Sequence, residues 1–119
     1  MIKVVKVVGL DVGGANTKAA FLNTHKGIMK ELKTAMEYFP IWKRGKEQLP
    51  QVLEKLRKKL VNSTVLDGVG VTMTAELSDV YWTKSEGVNH VLDCVTRVFA
   101  DVSTFVLNVG AVLVSVEDA

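Results

Sequence analysis

Two short stretches carry the residues whose types could do chemistry. The first is Gly9-Leu10-Asp11-Val12-Gly13-Gly14-Ala15-Asn16-Thr17-Lys18. A carboxylate ends one apolar run, paired glycines follow, and a Thr-Lys pair opens the next run. Glycine lets backbone N–H groups approach an anion closely. Asp11 is suited to Mg²⁺, directly or through water, and Lys18 to a phosphate oxygen as a point charge. The stretch is not a Walker A loop, because no Gly-Lys-Ser/Thr follows at the required spacing. It is not a dinucleotide fingerprint either, because a strand rather than a helix comes next. On spacing alone two readings stand side by side: a phosphate turn, or a Gly-Gly hairpin turn beside an incidental Asp and Lys.

The second stretch is Gly70-Val71-Thr72-Met73-Thr74-Ala75-Glu76-Leu77-Ser78-Asp79. Two hydroxyls alternate on one face as a strand runs out, and a carboxylate comes two residues after Thr74. Such a group can orient a polar substrate or take part in proton transfer. The plainer reading is a strand end with a Thr turn and a helix-capping acid. Elsewhere the signals are weaker. Cys94, between Leu92 and Val95 on a helix, reads as a small packed hydrophobe. His25 and His90 lack metal-ligand spacing with each other or with Cys94, which argues against structural zinc. Tyr38, Phe39, Ile41 and Trp42 flank Pro40 as a core plug or a lid. Lys84 and Glu86 either cap a helix or face a ligand.

The elements that must position these residues follow from periodicity. Residues 3–10 are Val-rich and predict a buried strand; residues 17–22 and 28–36 predict two more, joined by the Asn23-Thr24-His25-Lys26-Gly27 turn. Short connections make this an antiparallel meander. Leu49, Val52, Leu53, Leu56 and Leu60 then recur at helical spacing, predicting a helix over 47–62 with Pro50 in its first turn. A strand at 68–73, a helix over 86–100 and strands at 104–109 and 111–116 complete the order βββαβαββ. Alternation of helix and strand makes strands one, four and five parallel neighbours with right-handed crossovers. The fold class is α/β with a mixed sheet, as a single domain over 1–119. Asp11, Thr72 and Thr74 fall at the strand C-termini, the edge where open α/β sheets bind ligands.

Composition narrows the partners. Fifteen Lys and Arg against thirteen Asp and Glu leave a net charge of +2, too small to imply nucleic acid or an anionic membrane surface. The uncharged run from Val102 to Val116 is fifteen residues, short of the ~20 that span a bilayer. The single Cys94 excludes an intrachain disulfide, and no leader pattern opens the sequence. The expected location is the cytoplasm.

The Asp11-to-Lys18 segment resembles the first phosphate motif of the actin, sugar-kinase and heat-shock-chaperone ATPase superfamily. The βββαβα order is similar to the ribonuclease-H-like half-domain which that superfamily uses twice. Tyr38-Phe39-Pro40-Ile41-Trp42-Lys43, the Gly70-to-Asp79 stretch and Glu86-Gly87-Val88 narrow the resemblance further. They resemble the hydantoinase/oxoprolinase-like proteins of the archaeal and methylotroph tetrahydromethanopterin-linked one-carbon pathway. That family includes methanofuran-biosynthesis transferases, which join a pyrophosphate-activated aminomethylfuran alcohol to the phenol of γ-glutamyltyramine and release pyrophosphate.

The resemblance implies roles for individual residues. Asp11 takes Mg²⁺. The backbone amides of Gly13, Gly14, Ala15, Asn16 and Thr17 hold phosphate oxygens, and Lys18 meets the leaving group. Thr72, Thr74 and Glu76 line the acceptor side. Family members carry a second ribonuclease-H-like domain with its own phosphate motif, and no second Asp-x-Gly-Gly occurs here. The expectation is therefore the N-terminal half of a two-domain enzyme, completed by a second polypeptide. The rivals are an ATP-binding hydrolase or kinase-like protein, and a non-catalytic half-domain. A mean hydropathy of +0.21 and the Ala-Val-Leu-Val-Ser-Val run at 111–116 suit a homodimer formed through that strand.

Overall fold

The computed structural model describes residues 4–62, 64–75, 81–107 and 113–115. The Val-rich opening forms β1 (Val4–Val12), which turns at Gly13-Gly14 into β2 (Asn16–His25). Lys26 and Gly27, at φ 52° and 76°, turn the chain again into β3 (Ile28–Tyr38). Positive φ at both central residues is the pattern of the tight hairpin turn whose twist matches its strands. Then come α1 (Ile41–Arg44), a 3₁₀ turn at Lys46–Gln48, α2 (Leu49–Leu60), β4 (Gly68–Met73), α3 (Lys84–Val98), β5 (Thr104–Leu107) and β6 (Leu113–Ser115).

The expected order is recovered with one short helix added. Pro40 stands at the N-cap of α1 with φ −70°, and Ile41 drops into the core at once, so the segment coils where a loop was expected. Phe39 and Ile41 are the plug, at 1% and 0% exposed, whereas Tyr38 and Trp42 face solvent at 66% and 64%. The strand ends of the first hairpin also differ from expectation. Gly13 N–H donates to the Asn16 carbonyl at 2.9 Å, so β1 runs on through Val12 and β2 begins at Asn16.

One sheet of six strands runs in the order β3-β2-β1-β4-β5-β6. The β1–β4 and β4–β5 pairs are parallel, as expected, and the others are antiparallel. The chain passes from β1 to β4 through α2, and from β4 to β5 through α3. Both passages step in the same direction across the sheet, so right-handed crossovers put both helices on one face. Leu49, Leu53, Leu56 and Leu60 of α2 and Val91, Val95 and Val98 of α3 are buried there. They meet alternate residues of the strands, Val8, Leu10 and Val12 of β1 and Val69 and Val71 of β4. Each such side chain contributes about 1.5–3 kcal/mol by leaving water.

The helices are closed off locally. Thr83 caps α3 by accepting from Glu86 N–H at 3.0 Å, and the last turn of α2 carries Arg57, Lys58 and Lys59, matching the negative end of its dipole. Arg57 reaches across to Val98 O at 2.7 Å and to both Asp101 oxygens at 3.0 and 2.9 Å. Lys55 and Lys59 both pair with Glu37, at 3.0 and 3.1 Å. The basic face of α2 is thus engaged with the protein's own acids. Among the described residues no helix is long and apolar enough to cross a membrane.

Candidate functional site

The other face of the sheet carries no element among the described residues. Register places one row of side chains across it. Lys18 lies opposite Asp11, Thr72 is paired with Asp11 on the far side, and Met36 lies opposite Lys18. Directly paired residues share a face, so Met36, Lys18, Asp11 and Thr72 line up across β3, β2, β1 and β4. All four are exposed. The side chains of Asp11 and Lys18 make no hydrogen bond or ion pair with any described residue. The row borders an open cavity of about 780 Å³ whose floor includes Gly9, Ala20 and Gly70.

The turn beside this row is held by its carbonyls. Gly14 O accepts from Ile41 N–H at 3.0 Å and Ala15 O from Phe39 N–H at 2.9 Å. A planar trans peptide points its N–H opposite to its C=O, so the Ala15 and Asn16 amides are directed away from α1. The N–H groups of Gly14 and Ala15 have no partner among the described residues. An added Cβ at Gly13 would meet Asn16 O at 2.8 Å and Thr74 Oγ1 at 3.7 Å, whereas at Gly14 it would meet nothing within 4 Å. Gly13 is therefore required by the turn itself, while Gly14 leaves open space. Thr74 N–H donates to Val12 O at 3.0 Å, so the two stretches singled out in the sequence meet here.

Thr17 departs from this grouping. Its side chain lies on the helix face, fully buried, and its hydroxyl has no partner. Its backbone lies within the sheet, paired with Val12 on one side and Glu37 on the other. Glu76, Leu77, Ser78 and Asp79 lie outside the described residues. No group of three or more His, Cys, Asp or Glu residues is placed to share a metal among the described residues. A lone carboxylate is nonetheless the usual protein share of a Mg²⁺ that keeps water and substrate phosphate as its other ligands. Asp11, exposed and beside the Thr72 hydroxyl, fits that role.

One polar chain went unseen in the sequence. Tyr81 OH lies 2.7 Å from His90 Nδ1, and His90 Nε2 lies 3.5 Å from Cys94 Sγ. The sequence reading weighs His90 and Cys94 only as metal ligands; a spacing of four on one helix brings them side by side. Tyr81 follows the 76–80 segment and has no periodic signal of its own. Burial pushes the Tyr81 phenol up to about 12 and the Cys94 thiol up to about 11. Burial, with Lys46 nearby, holds His90 below its ordinary value. A protonated thiol that is 1% exposed is a packing group, as expected of Cys94. Lys46 closes the cluster, 3.1 Å from Glu86 and 5.4 Å from the Tyr81 ring centre. Glu86 thus faces Lys46, and its own N–H serves the helix cap.

Comparison with known proteins gives this geometry a context. The chain is 35% identical over 115 residues to the (4-{4-[2-(gamma-L-glutamylamino)ethyl]phenoxymethyl}furan-2-yl)methanamine synthase of Methanocaldococcus jannaschii. The match takes in 97% of this chain and 31% of the synthase, so the chain spans about a third of that relative's length. No family model matches. Among solved structures, the Aquifex aeolicus member of the Ppx/GppA family superposes with a TM-score of 0.59 at 17% identity, over 87% of this chain and 36% of that one. A second structure of the Aquifex aeolicus PPX-GPPA enzyme gives 0.57 at 15% identity, over the same shares. These two likenesses give the fold of this chain: a ribonuclease-H-like half-domain of the actin-like ATPase type.

Proposed function

We propose that this chain is the phosphate-binding part, equivalent to the N-terminal portion, of a methanofuran-biosynthesis transferase. Its substrates are a pyrophosphate-activated aminomethylfuran alcohol and γ-glutamyltyramine. The observation that carries the reading is the exposed Lys18–Asp11–Thr72 row beside a turn with two unpartnered amides. The name of the synthase relative describes a furan methylene joined through oxygen to a phenol. Making that ether requires a phenol oxygen to bond to the furan methylene as the bond from that carbon to the diphosphate oxygen breaks. The pyrophosphate leaves with the electron pair, and the phenol proton passes to a base.

The chain's own groups suit the leaving-group side of that exchange. The Gly14 and Ala15 amides are fixed donors that need no rearrangement to meet a phosphate oxygen. Lys18 places a positive charge where negative charge develops. Mg²⁺ on Asp11 supplies further charge neutralisation when bound. Thr72 and Thr74 orient the acceptor, and Glu76 is the carboxylate assigned to the phenol proton. The part of the synthase outside the matched residues corresponds to the rest of the cleft.

Calorimetry with pyrophosphate and with ATP, each with Mg²⁺, tests the phosphate site; a strong preference for ATP overturns the diphosphate reading in favour of an ATP-dependent enzyme. Mixing the chain with the remainder of the synthase, the furan diphosphate and γ-glutamyltyramine tests the reaction through pyrophosphate release.

A further inference from the structure

We propose that two copies of this chain associate edge to edge through β3, antiparallel, in the register that sets Ala35 of each copy at a two-fold axis. The proposal stands independently of the function proposed above. β3 closes one end of the sheet order, and among the described residues only β2 pairs with it. Half of its backbone N–H and C=O groups therefore point out of the sheet toward a further strand. Its bare-face side chains invite cover rather than repel it: Leu32, Met36 and Tyr38 are 54%, 56% and 66% exposed. This edge is the opposite one from β6, the strand expected from the sequence to pair.

Symmetry and pleat narrow the register. A two-fold axis normal to the sheet brings the edge antiparallel against its own copy and keeps each face with its like. Directly opposite residues share a face, so even-numbered residues meet even and odd meet odd. The ladder also has an end. Lys30 has no counterpart in β2, where the register slips between Asn23 and Thr24, so the regular stretch of β3 runs from Glu31 to Tyr38. A bulge of this kind terminates pairing.

Within that stretch the charges decide. A ladder centred on Lys33 sets two Lys33 side chains against each other, and one centred on Thr34 sets Glu31 against Glu37 twice. One centred on Leu32 runs into the bulge, and one centred on Met36 pairs only residues 34–38. The ladder centred on Ala35 sets Lys33 against Glu37 of the second copy twice, Leu32 against Tyr38 twice and Thr34 against Met36 twice. Opposite charges attract at such positions and like charges repel. Leu32 and Tyr38 remove each other's apolar surface from water. Ala35, the smallest side chain of the stretch, falls where two identical side chains must meet. Lys33 and Glu37 both lie on the helix face, paired with Phe21 and Thr17 of β2. The contact that Lys33 makes with Glu31, at 3.4 Å, is exposed and readily exchanged. Tyr38 stands opposite Asn16, so Leu32 of the second copy packs beside the first turn.

Sedimentation velocity of the wild-type chain over a concentration series tests the association, and a charge exchange tests the register. Lys33→Glu sets carboxylates against Glu37 at both positions, and Glu37→Lys sets ammonium groups against Lys33 at both. In an equimolar mixture each variant restores the pairs that the other lost. Circular dichroism confirms that the variants are folded. The expected result is a reversible dimer of the wild type, self-association weakened at least tenfold in each variant, and recovery of the dimer in the mixture. Leu32→Lys, at an exposed position, is expected to weaken the dimer by the same measure and keeps the test decisive if Glu37→Lys does not fold. A wild-type chain that stays monomeric throughout, a dimer indifferent to Lys33→Glu and Leu32→Lys, or a mixture of folded variants no more associated than its components each overturns the proposal.

Discussion

Asp11 and Lys18 stand directly opposite each other in the β1–β2 ladder, both exposed, and do not form an ion pair. Opposite charges in that position ordinarily attract across about 5 Å. Held apart, they leave a positive and a negative group ready for a metal-bound anion. Asp11→Asn is therefore expected to weaken Mg²⁺-dependent pyrophosphate binding by about 10- to 100-fold, the scale of losing a charge-assisted contact. The thermal midpoint should stay within a degree or two, since Asp11 supports nothing in the fold. Titration calorimetry and a thermal melt of the variant check the two points, and wild-type affinity would reduce the turn to a structural corner.

The two glycines of the turn should behave differently. Gly13→Ala drives a methyl group to 2.8 Å from the Asn16 carbonyl, a backbone atom that cannot swing aside. We expect a loss of about 1–3 kcal/mol in urea unfolding. Gly14→Ala meets nothing and has no positive φ to relieve, so stability should be unchanged or raised by about 0.4–1 kcal/mol through the unfolded chain. If the open space at Gly14 is where phosphate comes close, the same variant should still lose pyrophosphate affinity.

His90 makes stability depend on pH. Burial disfavours its charged form, so its folded pKa lies below the unfolded value of 6.5. Stability from this residue is complete above that value and is lost as pH falls through it toward the folded pKa. Neutral His90 can accept a hydrogen bond from the Tyr81 hydroxyl at Nδ1 while its Nε2 faces Cys94. Thermal melts from pH 7.5 to 5.5 should show a falling midpoint, and His90→Gln should flatten that slope. Tyr81→Phe should cost about 1 kcal/mol at neutral pH by removing the 2.7 Å contact.

Arg57 should outweigh the other cations of α2. It donates to Val98 O and to both Asp101 oxygens and lies 4.9 Å from the Phe99 ring centre. Arg57→Met is expected to cost about 1.5–3 kcal/mol. Lys55→Met and Lys59→Met, each removing one of two exposed partners of Glu37, should cost under ~1 kcal/mol. Chemical denaturation of the three variants separates the cases.

Much of the architecture was legible because it rests on periodicity. The Gly-Val-Gly-Val-Thr-Met alternation marks β4 at its observed bounds, and the Leu repeat marks α2. Alternation of strand and helix after the meander was enough to make β1, β4 and β5 parallel. The candidate site was legible in its members but not in their directions. Whether Thr17 or Lys18 faces outward depends on the hairpin register, which the Gly13–Asn16 bond sets and no period reveals. α1 is four residues long, too short to show a repeat, and β3 is mostly exposed on both faces, so its end at Tyr38 follows from pairing with Asn16.

The two carbonyls of the first turn are gripped by the amides of Phe39 and Ile41, side chains sunk in the core just ahead of α1. Whatever stiffens that bend must also stiffen the stretch that carries α1 toward α2. Deuterium uptake at those two amides is thus a reporter placed by the fold itself: slowed labelling there on adding magnesium pyrophosphate would register an event whose contacts lie on the far side of the peptide planes.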